Sequence, residues 1–200
     1  VHQWDGSAPQ YLPLANALRD AGCMVCTLDL RGHGQSRNYV DARGQARQFD
    51  TSRMNRNDVQ AMINTDLEAV KKFLKAENDA ERVNLNALTL VGIGEGGILA
   101  ANYAVLDWNF PDSGKKKQSK DVRALVLVSP EKTLQGFGYD GATRHPLVSR
   151  ISWQIIAGGN SPQADEAEKI QKQLERSRRS GPTAGPVDLF LPNSPASGPD

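Results

Sequence analysis

Apolar residues recur along this chain in two rhythms. Val59, Met62, Ile63, Leu67, Val70, Phe73 and Leu74 repeat at helical spacings of three and four, which places them on one face of a helix from about Asp58 to Glu77. After Ser7 as an N-cap, Leu12, Leu14, Ala15 and Leu18 predict a first helix that Gly22 closes. The second rhythm is the short apolar run. Cys23 to Leu30, Leu88 to Val91, Val122 to Val128, Trp153 to Ala157 and Val187 to Leu191 each read as a strand, and the first suits a strand covered on both sides. Helices are predicted between them near Gly96 to Leu106 and Gln163 to Arg178. Alternating strands and helices make an α/β fold: a mostly parallel sheet with helices on both faces.

The intervening stretches are polar. Arg31 to Asn57, with Gly32, Gly34 and Gly44, reads as a long loop, and Pro130 to Arg150 as a lid-like insertion whose Gly136, Gly138 and Gly141 let it move. The expected domain is 1–191, with a mobile tail over 192–200 that has little apolar surface to offset ordering. No strand precedes the first helix, so N-terminal strands of the sheet are expected to be missing.

Composition narrows the functional classes. Two hundred residues suffice to bury roughly 70% of the unfolded chain's surface, so stability requires no metal or disulfide. Lys plus Arg at 24 against Asp plus Glu at 23 leaves a charge of +1, which gives no electrostatic case for nucleic acid. The cluster Lys115, Lys116, Lys117, Lys120 and the group Arg176, Arg178, Arg179 read as a solvated loop and helix end. No apolar run is long enough for a membrane span, and no charged start with an apolar segment marks a secretion signal. Cys23 and Cys26 have C-x-x-C spacing, but on a strand they point to opposite faces and read as two buried small residues rather than a metal site. No cofactor is called for.

Leu88 to Ala101, LTLVGIGEGGILAA, reads as a strand, a glycine-rich turn and a helix start. With two further segments it resembles the α/β-hydrolase family of esterases, lipases and peptidases. His2-Gln3-Trp4-Asp5-Gly6-Ser7 is similar to the family's H-G-x-x-G-S turn, with Gln3 for the second glycine. Asp29 to Ser36 matches D-x-R-G-x-G-x-S, and Gly92 to Gly97 takes the place of the G-x-S-x-G-G nucleophile elbow. The resemblance implies an oxyanion hole from the Trp4 and Glu95 N–H groups, aided by the helix N-terminus. It also implies that Gly94 stands where the nucleophilic serine belongs. The position of the family's acid falls at Ser161, or at Glu131 in a second location, and no histidine follows the last strand. The family's activity is therefore expected to be lost, leaving a pseudoenzyme that binds a small-molecule or protein ligand, with Phe137 and Tyr139 in the pocket or lid.

Two other readings stay open. Ser129, Ser36 or Ser161 with His33 or His145 as base would keep a hydrolase of ester, amide or lipid substrates. Gly92, Gly94 and Gly97 also satisfy G-x-G-x-x-G, the dinucleotide fingerprint, for which Asp112 has the spacing of the ribose-binding acid.

Overall fold

Four of the apolar runs lie side by side in a computed structural model, which describes residues 1–111, 119–179 and 183–198. Helix α1 (Leu12–Asp20) is followed by a short antiparallel hairpin, β1 (Asn38–Val40) and β2 (Ala46–Gln48), inside the stretch expected to be loop. The main sheet contains β3 (Leu88–Ile93), β4 (Val122–Val128), β5 (Ser152–Ile156) and β6 (Val187–Phe190), parallel and in chain order. One cross-strand row reads Leu90, Leu125, Trp153, Val187. On the central strands Leu125, Leu127, Trp153 and Ile155 are buried, while Ala124, Val126, Gln154 and Ile156 are only partly covered. This is the mostly parallel α/β sheet that the sequence pattern requires.

Helix α4 (Gly96–Asn109) connects β3 to β4 and buries residues all around its circumference, including Ile98, Leu99, Ala101, Tyr103 and Ala104. A helix that is apolar on every side belongs in the centre of a domain. Helix α6 (Ala164–Ser177) is amphipathic instead and places Ala167, Ile170 and Leu174 against β5 and β6. Between β4 and β5, the insertion forms a turn at Leu134–Phe137 and a short helix α5 (Asp140–Thr143). Leu134, Tyr139, Ala142 and Val148 from this insertion join the core.

The long helix predicted from Asp58 appears as α2 (Arg56–Ala61), a π-helical turn over Met62–Asp66, and α3 (Leu67–Asp79). Val59, Met62, Ile63 and Leu67 are buried as the spacing requires, but Phe73 is 50% exposed and Lys71 is buried instead. The π turn accommodates an extra residue, and one residue is about 100° of helical phase, so the face that points inward changes after it.

The run from Cys23 to Leu30 is the main correction. It forms no strand, Leu30 alone is buried in it, and both cysteines are exposed rather than buried. An apolar run becomes a covered strand only with a hydrogen-bonded neighbour, and it has none among the described residues. The place beside β3 is taken by Val1, whose amino group donates to Val91 O while Ile93 N–H donates to Val1 O. Helix α1 has no buried residue, with Leu12 and Leu14 exposed. Arg178 is a smaller surprise: its guanidinium turns inward and donates to the carbonyls of Ser149, Ile151 and Gly185. Lys115 to Lys117 and Asp112 lie outside the described residues.

Candidate functional site

The sharp bend after β3 is built from glycines that their surroundings require. A Cβ on Gly92 would lie 2.5 Å from Gly97 Cα and 2.6 Å from Gly96 O. One on Gly96 would overlap the carbonyls of Val1 and His2, and one on Gly97 would stand 2.7 Å from the Tyr139 hydroxyl. Backbone cannot yield as a flexible side chain can, so Gly92 and Gly96 permit strand, turn and helix to approach. Gly94 is buried, has φ +55°, and donates its N–H to Val128 O at 2.9 Å. Where its side chain would begin stands Gln3, with Cβ 2.9 Å from the position of a residue-94 Cβ.

The other two motifs hold this bend in place. His2 is buried; its Nδ1 donates to Gln3 O at 2.7 Å and its Nε2 accepts the Leu30 N–H at 3.0 Å. The Asp29 carboxylate accepts the N–H groups of Ala8 and Gln35, which stitches the first turn to the second loop. Burial pushes the Asp29 pKa up, but these bonds outweigh it and hold the group below its ordinary value. Arg31 grips Asp66 with two bonds and Thr65 with a third, anchoring the loop to the π turn. His2, Asp29 and Arg31 of these motifs thus have scaffold roles.

That geometry, a glycine-flanked bend at positive φ joining a parallel strand to a buried helix, agrees with a family match: the model for serine aminopeptidase, S33, covers residues 1–136. The chain belongs to the serine aminopeptidase S33 family of α/β-hydrolases. A search of curated proteins found no match. The matched S33 segment contains all three motifs, the bend and Glu131, and ends before the Ser161 loop and the region after the last strand.

Relative to an S33 hydrolase, the residues around the bend are placed as follows. Trp4 N–H, one expected oxyanion donor, holds the Glu95 carboxylate at 3.0 Å. Glu95 N–H, the other, has no hydrogen-bond partner among the described residues. Glu131 accepts Gln163 Nε2 at 2.7 Å, and Ser161 is buried in the loop before α6 with an unpartnered Oγ. Tyr139 OH is buried and also unpartnered, and its pKa is driven well above the usual phenol value by burial, then by Glu166, Glu131 and Glu95. Phe137 lies half-buried under the Arg56 guanidinium, 4.1 Å from its ring centroid.

The three histidines do not meet a nucleophile. His33 Nδ1 bonds Arg31 O, and its buried Nε2 has no partner. His145 bonds Asn109 Oδ1 at the far end of α4, about 20 Å along the helix from the bend, and caps Leu147 and Val148 N–H. Among the described residues no histidine bonds a hydroxyl, and Ser129 and Ser36 are not brought to a base. The dinucleotide reading meets Tyr139 OH over Gly97, with three carboxylates nearby. A cavity of about 560 Å³ opens between Ser7, His33, Arg37 and Phe49 rather than at Gly94.

Gln3 and Gln163 are the site residues that sequence reasoning missed. Gln3 did carry a signal. It and Gly94 are the departures from the motifs' usual residues, and the structure puts them in contact.

Burial lowers the pKa of both His2 and His145, so the native state favours their neutral rings. The unfolded chain therefore binds more protons as pH falls through the ordinary histidine value of 6.5. Stability is expected to be complete above that value and to decline toward the lower native pKa values. Urea midpoints at about pH 7.5 and 5.5 measure this. A His2→Gln chain, whose amide oxygen still accepts the Leu30 N–H, should show a shallower decline.

Proposed function

We propose that this S33-family chain binds a neutral carbonyl-bearing ligand, small molecule or protein segment, at the Gly94 bend without hydrolysing it. The observation that carries this reading is that residue 94 is a glycine with no side-chain nucleophile and that Gln3 Cβ crowds the point where a residue-94 side chain would begin. What remains around the bend is binding chemistry: Glu95 N–H at the α4 N-terminus, Trp4 N–H if the Glu95 carboxylate swings away, and the Tyr139 hydroxyl. Glu95, Glu131 and Glu166 all act on Tyr139, so an anion is disfavoured and a neutral acceptor favoured.

Two measurements test it together. A fluorophosphonate probe is expected to leave every serine unlabelled. Benzamide, a neutral carbonyl probe, should shift the Trp4 and Glu95 amide resonances on titration. Labelling of any serine would return the chain to the working hydrolases of its family. Silence of both resonances at millimolar benzamide would remove the binding reading.

A further inference from the structure

Resting on that reading of the Gly94 site, we infer that residues 192–198 form a strap that closes it and must lift before a ligand enters. The β5–β6 ladder does not stop with the strands. Ala157 N–H donates to Phe190 O, Gly159 N–H to Pro192 O at 2.7 Å, and Asn160 N–H to Ser194 O at 3.0 Å. Side chains continue the seam, with Asn160 Nδ2 on Asn193 Oδ1 at 2.7 Å and Ser197 Oγ on Gln163 Oε1 at 2.9 Å. Through Gln163, this second bond leads to Glu131.

The strap then crosses to the opposite side of the site. A Cβ on Gly198 would come within 2.8 Å of Gln3 Oε1, and Gln3 is the residue standing over Gly94. One segment thus touches the loop carrying Ser161 and the side chain that covers the bend. Ser161 Oγ, with Asn160 and Gln163 as strap-bound neighbours, is buried and unpartnered, as is Tyr139 OH. An orphaned hydroxyl in the loop that the strap holds is the expected mark of a group that finds its partner when the cover opens.

The seam is also weak enough to part. Pro192, Pro195 and Ala196 are its only apolar residues, Asn193 and Pro195 are exposed, and a few hydrogen bonds do the holding. Segments with little buried apolar surface open locally at low cost. Closure depends on Gly158, where a Cβ would stand 2.5 Å from Ser194 O and 2.6 Å from Ala196 O. Gly158 φ is not in the left-handed region, so alanine there would disturb the strap rather than the loop's own backbone.

The test uses the full chain with Cys23 and Cys26 changed to serine and Ser161→Cys as a thiol reporter. With the strap in place, the introduced thiol should react with Ellman's reagent at least tenfold more slowly than the exposed cysteines of the unmodified chain. Adding Gly158→Ala, or separately Asn193→Ala with Ser197→Ala, should raise that rate at least tenfold. Amide exchange at Gly159 and Asn160 should accelerate in step, while β4 and α4 keep their protection. A reporter that reacts as fast as the native cysteines, or that stays slow in both strap variants, overturns the proposal. Neither readout uses benzamide, so failure of carbonyl binding and failure of the strap are told apart.

Discussion

Asp107→Ala is expected to destabilise the fold by about 3–5 kcal/mol, the cost of leaving a buried partner charge uncompensated. At about 2–4 °C per kcal/mol for a chain of this size, the melting temperature should drop by roughly 10 °C. Asp107 is fully buried and its carboxylate binds three groups: Lys71 Nζ at 2.5 Å, Asp121 N–H at 2.7 Å and Val122 N–H at 3.0 Å. It therefore joins α3, α4 and the start of β4. Lys71 lies 3.4 Å from Asp121 as well. Burial alone would lower the Lys71 pKa, but its bond to Asp107 and the charges of Asp107, Glu68 and Asp121 prevail, so the pKa is raised above 10.5. A raised ammonium contributes stability that is present below its unfolded value and is lost only as pH climbs through the native one. The deficit should hence be constant across neutral pH.

Thermal melts of two further chains separate charge from hydrogen bonding. Lys71→Met with Asp107→Leu removes both charges yet orphans the two backbone N–H groups. Lys71→Met with Asp107→Asn keeps an acceptor for them and should recover part of the loss. By contrast, breaking the exposed Arg19–Asp20 pair should cost less than about 1 kcal/mol. Equal losses at the two sites would show that the buried network contributes no more than a surface pair.

Whether such features can be read in the sequence depends on whether they leave a periodic or local trace. Helices α4 and α6 and the strands of the main sheet were legible because apolar spacing reports backbone geometry directly. The exchange of Phe73 for Lys71 was not, because a π turn shifts the phase without any residue that marks it. Cys23 to Leu30 has the composition of a covered strand, but composition records what a segment can pair with and does not supply the neighbour. At the bend, Gly92, Gly96 and Gly97 were legible because only glycine fits those contacts. The Ser161 loop, Gln163 and the 192–198 seam were not, since hydrogen bonds between loops follow no spacing rule.

Gly94→Ser is the second large test, and it is expected to fail as a repair. At φ +55° a non-glycine residue pays a conformational cost, and its Cβ would press on Gln3 Cβ at 2.9 Å. Together these should lower stability by about 1–3 kcal/mol. Adding Gln3→Gly removes the contact but not the backbone strain, so the double variant should regain part of the loss. A coupling of at least about 0.5 kcal/mol from the double-mutant cycle would mark the two positions as one packing unit. Turnover is expected to be absent in both. A serine without its base is about 10⁶ below a competent triad, and His2, His33 and His145 are engaged in the scaffold or distant from the bend. Hydrolysis of p-nitrophenyl acetate above background by the double variant, with the introduced serine labelled by fluorophosphonate, would mean that a base is in reach and that glycine at 94 alone silences the site.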